Sequence, residues 1–247
     1  MRSPNIRPVT EKSFPRPARV TLTIATVVTV AGVLMAARPV LIDAASPAMA
    51  SQRGSVGYHL FIQAGGLLLA ALTLLATYRL SGAQVRAYWG RGHLAAPAGR
   101  VRWLGIRDAT SWRRVGPTML VWISLPLAAF LYLGLAEDLS RGPSPALLLV
   151  AVAFALSNAV AEEAVFRLSL VGALRGVATD RTILALGAGI FGVVHYFGVP
   201  GGPIGVVMAG FLGWFLTKSI LETGGVFWAV LIHFVLDVII FAFILHL

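Results

Sequence analysis

The chain has 247 residues, 57% of them hydrophobic and 12% charged, with a mean hydropathy of +0.83 and a formal net charge of +10. That is too apolar for a soluble domain and fits an integral membrane protein; the basic residues fall between apolar runs, where membrane orientation and anionic headgroups account for them, so nucleic acid is not an expected partner. The absence of cysteine excludes disulfides, thiolate metal sites and a cysteine nucleophile.

Residues 1–19 carry Arg2, Arg7, Lys12, Arg16 and Arg19 among four prolines and read as a disordered basic tail. Residues 20–37 form the first apolar run. A cleaved signal peptide competes with this reading, because Ala48-Met49-Ala50 before Ser51 mimics a small-residue cleavage site. That site lies well beyond the run, with Arg38 and Asp43 between, which favours an uncleaved anchor. Residues 58–78 form the second span. Residues 81–115 follow; counted from Arg79 they hold eight arginines and no lysine, interleaved with Tyr88, Trp89, Trp103 and Trp112. Aromatics beside cations suit the headgroup layer, so this stretch is expected as a cytosolic loop on the membrane surface. Residues 116–136 form the third span, and Glu137, Asp138 and Arg141 a short loop.

Ser144-Pro145 is a good helix start, a cap followed by proline in the first turn. The fourth helix is expected from there to about 175, and a fifth, capped by Asp180, over about 181–199 until Pro200-Gly201-Gly202-Pro203 breaks it. A sixth segment covers about 204–217, flanked by Lys218 and Glu222, and a seventh covers 226–247. The expected fold is thus all-α, a polytopic transmembrane bundle of about seven spans, the short segments after Asp180 having re-entry as an alternative. Its parts are the tail at 1–19, N-terminal helices with the basic interfacial loop at 20–143, and a membrane core at 144–247. The tail, the long loop and Arg175 with Arg181 fall on one side, which places the N-terminus in the cytosol and, with seven spans, the C-terminus outside. Lys218 is expected to join them only if the preceding segment is re-entrant or the next turn is displaced.

The chain has ten acidic residues, and Glu162 and Glu163 stand side by side at the end of an apolar run interrupted only by Ser157 and Asn158. A carboxylate at membrane depth is costly and marks a functional position with a partner to be found. Glu163 and Arg167, four apart on one helix face, can form an ion pair; Glu162 has no such neighbour. The alternative is that the run ends at the water interface with both glutamates solvated. At ~1.5 Å per residue Glu162 lies about 26 Å along a helix from Pro145, and His195 about 21 Å along one from Arg181; from opposite faces of a ~30 Å core these depths do not coincide.

Of five histidines, His195 and His233 lie inside apolar helices, and His233 shares a helix face with Asp237. Lipid offers such groups nothing, so Glu162, His195, His233 and Asp237 are expected to converge. A carboxylate with a histidine can hold and deprotonate a water, and a second histidine can donate to an oxyanion. The same four residues could instead ligate a divalent metal such as zinc with an open position. Either way the chemistry is water attack on a carbonyl. No serine lies in a nucleophile-elbow pattern and no HExxH occurs.

Three motifs, Glu162-Glu163 to Arg167 as EExxxR, Phe191 to His195 as FxxxH, and His233 to Asp237 as HxxxN/D, resemble the CPBP intramembrane proteases, which include the type II CAAX prenyl endopeptidases and bacteriocin-immunity proteins. The resemblance covers about residues 145–240, including Gly213-Trp214 and Thr223-Gly224 before Trp228; the first three spans carry no signature. It implies an endopeptidase in the cell membrane acting on membrane-associated or CAAX-like peptides or membrane proteins. Glu162 and His195 would activate the water, His233 and Asp237 would stabilise the oxyanion or the site, and Glu163 and Arg167 would hold local structure or bind substrate. Two positions depart from the family pattern: Leu168 replaces a common glycine, and Asp237 replaces asparagine. An ionised carboxylate cannot donate to an oxyanion, so Asp237 is expected to be protonated, to orient His233 or to ligate a metal. A transporter or proton relay, and a non-proteolytic immunity or scaffold factor, are the competing readings. An inverted repeat would favour transport, and none is visible.

Overall fold

A computed structural model describes residues 16–52, 55–81, 84–135 and 145–245. Residues 1–15 of the expected tail, the loop with Glu137, Asp138 and Arg141, and the Ser144 cap lie outside the described residues; residues 16–19, expected in the disordered tail, are instead helical. The helices are α1 (Arg16–Ala45), a short α2 (Pro47–Ala50), α3 (Val56–Ser81), a short α4 (Gln84–Ala87), α5 (Trp112–Leu135), α6 (Pro145–Glu163), α7 (Ser169–Leu174), α8 (Asp180–Val194), α9 (Gly202–Thr223) and α10 (Phe227–Ile244). Two two-residue strands, β1 (Pro97–Ala98) and β2 (Thr110–Ser111), pair antiparallel, with Pro97 opposite Ser111. The protein is an all-α membrane bundle.

Among the described residues six helices are long and apolar enough to cross a membrane, α6 and α7 counting as one span over Pro145–Leu174. The fifth span of the expected bundle, α8, has only 15 residues and stops at Val194. The chain then tightens into a 3₁₀ turn, His195–Phe197. His195 therefore caps a helix end and is not deep inside one, a correction to the sequence reading. α9 also runs further than expected, so Lys218 and Glu222 are intrahelical.

Burial organises these helices around one core, with Leu170 and Leu174 of α7, Ile183 and Phe191 of α8, Phe215 and Ile220 of α9 and Ile232 of α10 all essentially solvent-free. In lipid there is no hydrophobic drive between helices, so close association depends on packing of small residues. α8 and α9 cross on glycines: a β-carbon at Gly213 would lie 2.5 Å from the Gly187 carbonyl oxygen, and one at Gly192 would lie 2.8 Å from that of Val206. Gly213→Val is accordingly expected to lower stability by about 1–3 kcal/mol through overpacking. Its melting temperature in detergent should fall, because α8 and α9 could no longer close on each other.

The arginine-rich loop is tied to the turn between α9 and α10. The Val226 N–H donates to the Gly90 carbonyl (3.0 Å) and the His93 N–H to that of Thr223 (2.8 Å). Glu222 accepts from the Gly99 N–H (3.2 Å) and the Trp112 indole N–H (2.9 Å) and pairs with Lys218. Lys218 thus lies at the loop's end of the bundle with α9 as a full-length helix, and neither re-entry nor displacement is required. Trp112, expected at the headgroup layer, is fully buried against Phe215 (ring centroids 5.4 Å); Trp89 and Trp103 remain exposed.

Candidate active site

The helix carrying the acidic pair does not end there. After Glu163 it widens into a π turn, Ala164–Leu168, closed by the Ser169 N–H and Oγ, which both donate to the Ala164 carbonyl. Such insertions rotate the residues around them out of α-helical register and recur at functional sites. The continuation to Leu174 resolves the depth mismatch. Measured back from Leu174, Glu162 lies about 18 Å along the helix, and measured from Asp180, His195 lies about 22 Å along its own, at ~1.5 Å per residue. The reading of both glutamates as solvated interface residues does not hold: Glu163 is solvent-free, and the Glu162 side chain is 13% exposed.

Glu163 and Arg167 form the expected ion pair (3.0 Å), with both side chains essentially inaccessible. The guanidinium carbon lies 3.8 Å from the centre of the Phe191 ring, so the cation has a carboxylate on one side and an aromatic face on another. The Phe191 ring also packs on His195 (4.1 Å) and lies edge-on to His233 (5.8 Å). Phe191 is the apolar platform that joins the three motifs.

Each histidine has one nitrogen fixed. His233 Nδ1 lies 2.7 Å from Glu163 Oε1, and His195 Nδ1 lies 2.8 Å from the Phe191 carbonyl oxygen. These oxygens only accept, so Nδ1 carries a proton in both rings. Both Nε2 atoms then turn to Glu162 Oε2, at 3.6 Å from His233 and 3.8 Å from His195; Asp237 Oδ2 is 3.7 Å from His233 Nε2. Glu162 Oε2 is buried and makes no hydrogen bond. A buried carboxylate oxygen with no donor, facing two imidazole nitrogens beyond direct bonding distance, has the spacing at which a water can bridge.

The four residues expected to converge therefore do so, with Glu163, Arg167 and Phe191 behind them. Sequence reasoning missed Asn158. Its amide donates to Glu162 Oε1 (3.2 Å) and Asp237 Oδ2 (3.1 Å), holding the two carboxylates together. Asn158 stands four residues before Glu162 on the same helix face, so Glu162 does have a local neighbour. The amide inside an apolar run was the available signal. The other interruption, Ser157, donates to Gln63 of α3 (3.0 Å). Arg38 of α1 was also missed. Its guanidinium donates to the Ile62 (2.6 Å) and Met35 (2.9 Å) carbonyls, and it interacts electrostatically with Glu162.

The cluster forms the polar end of a cavity of about 390 Å³ whose other walls are apolar: Trp122 and Leu127 of α5, Met208 and Leu212 of α9, and Ile240 of α10. A smaller cavity of about 80 Å³, lined by Gly32, Met35 and Ala36 of α1, reaches Glu162 and His195 from behind. Among the described residues, no group of three His, Asp or Glu side chains is arranged to hold a metal ion. Asn158 occupies an oxygen of each cavity carboxylate, and Glu163 and the Phe191 carbonyl each occupy a histidine nitrogen. These bonds leave Glu162 Oε2 and both Nε2 atoms free, but as arranged among the described residues they do not form a ligand set.

Residues 144–239 match the family described as Type II CAAX prenyl endopeptidase Rce1-like. That stretch, which holds Glu162, His195, His233 and Asp237, is similar to this family of membrane proteases. No curated protein and no solved structure matches the chain.

Proposed function

We propose that this Rce1-like domain is an intramembrane endopeptidase in which Glu162 and His195 activate a water against a peptide carbonyl bound in the apolar cavity. The observation that carries the reading is Glu162 Oε2, buried, without a donor, and facing both Nε2 atoms on the cavity wall. Water between Glu162 Oε2 and His195 Nε2 attacks the carbonyl carbon, and its proton passes to Glu162. The oxyanion that forms is met by His233, which carries a proton on each nitrogen and donates from Nε2. When the C–N bond breaks, Glu162 returns the proton to the leaving amine.

Asp237 orients His233 and is not itself the oxyanion donor. What supports this is the Asn158 amide on its Oδ2 and its 3.7 Å approach to the His233 ring. Glu163 and Arg167 fix His233 from behind. The apolar cavity walls suit a membrane-associated or CAAX-like peptide. Arg19, the loop arginines, Arg175, Arg181 and Lys218 gather at one end of the bundle, and the positive-inside rule makes that end, with the N-terminus, cytosolic.

Cleavage of a membrane-peptide library by the purified chain is expected to persist in a strong chelator. Asp237→Asn is expected to lose less than about tenfold, well short of the loss on removing a general base. Chelator inactivation reversed by one added metal would replace this mechanism with a metal-bound water.

A further inference from the structure

A second cavity, of about 500 Å³, opens between α6 and the first half of α10, with Trp89 and Arg91 at its mouth. Its walls are apolar, formed chiefly by Leu156, Val160, Val230 and Phe234. The mouth is built and held in place: the Gly90 carbonyl accepts the Val226 N–H, and a β-carbon at Gly225 would lie 2.5 Å from that same Gly90 oxygen, so the loop backbone interlocks with the start of α10. The acidic residues at this end of the bundle are engaged elsewhere, Asp108 with Arg100, Asp180 with Arg175 and Glu222 with Lys218. Arg91 has no acidic partner among the described residues. α10 has no acidic residue in its first turn and no side-chain cap, so its positive end also faces this mouth uncompensated. Trp89 is 56% exposed beside it, an aromatic at the interfacial level.

The far end of the cavity is not apolar. Glu163 lies on its floor, and Glu163 Oε2 is buried with no hydrogen-bond partner. The other oxygen of this carboxylate holds His233, so whatever fills the cavity packs on the back of the candidate active site.

An open apolar groove ending in a cation without an acidic partner and an interfacial tryptophan has the complementarity of a lipid with a negative headgroup. We propose that this groove binds an anionic phospholipid of the surrounding bilayer, its phosphate on Arg91 and the start of α10 and one acyl chain along α6 and α10.

The test is native mass spectrometry of the full chain purified in mild detergent and exposed to phosphatidylglycerol or phosphatidylcholine. Wild type is expected to retain phosphatidylglycerol in preference. Arg91→Gln should weaken that retention about fivefold, the factor for one basic residue at an anionic surface, and bring it to the phosphatidylcholine level, while Arg91→Lys keeps it. Val230→Trp, which fills the groove, should reduce retention of both lipids. Equal retention by wild type and both loss variants would overturn the proposal. So would a loss confined to Arg91→Gln, which would leave the headgroup on the loop and no chain in the groove. If Val230→Trp instead leaves phospholipid retention intact and raises KM only for a lipid-modified peptide, the groove belongs to the substrate and the proposal fails. Retention requires no turnover, so its outcome is separable from that of the protease reading.

Discussion

Glu162→Gln is expected to lower kcat for peptide cleavage by about 10²- to 10⁴-fold while leaving the melting temperature of the bundle nearly unchanged. The glutamine carbonyl can still accept from the Asn158 amide, as Glu162 Oε1 does at 3.2 Å, so the side chain keeps its orientation. The atom that changes is Oε2, the one without a donor, which becomes an NH₂ group unable to take a proton from water. Glu163→Gln provides the contrast. Glu163 does not line the active-site cavity; it holds His233 Nδ1 at 2.7 Å, so its loss disturbs the oxyanion donor and leaves the base in place. Its activity should fall less than that of Glu162→Gln. Equal tolerance of both changes would remove Glu162 from the role of base.

Arg167→Met is expected to show the opposite pattern, a large loss of stability. Removing one member of a buried ion pair leaves the other charge uncompensated, at a cost of about 3–5 kcal/mol. Arg167 and Glu163 are both solvent-free and 3.0 Å apart, and Phe191 would lose the cation over its ring face as well. Thermal unfolding in detergent, followed by circular dichroism, should show a markedly lowered midpoint. Pairing Arg167→Met with Glu163→Gln should recover part of the loss, because the stranded carboxylate is then gone; strict additivity of the two changes would contradict the coupling. Arg167→Lys should not restore wild-type stability, since an ammonium lacks the planar face that stacks on Phe191.

Much of this site is legible in the sequence because a membrane removes the bland explanations for charge. In a chain so poor in acids, Glu162, Glu163 and Asp237 inside apolar runs had to find partners in the bundle, and the i,i+4 spacing of Glu163 with Arg167 and of His233 with Asp237 placed each pair on one face. What spacing could not supply was position along and around the helices. The π turn after Glu163 leaves no local signature, although the continuation of the helix to about 175 was legible. His195 looked buried in mid-helix because Tyr196 and Phe197 extend the apolar run, yet the chain turns there before Pro200. Lys218 was placed by a segment boundary and Trp112 by the arginines around it, and the network around Glu222, which joins residues more than a hundred positions apart, fixes both differently. Asn158 was visible only as a blemish in an apolar stretch. Its role depends on Asp237 arriving from another helix.

The central claim is that Glu162 directs a water molecule onto a peptide bond. The most direct test is mass spectrometry of the products formed from a membrane-peptide library in heavy-oxygen water, with wild type and Glu162→Gln in parallel. The account predicts wild-type fragments whose new C-terminal carboxyl carries one heavy oxygen, and none above background from Glu162→Gln of equal melting temperature. Labelled fragments produced at similar rates by both proteins would contradict it.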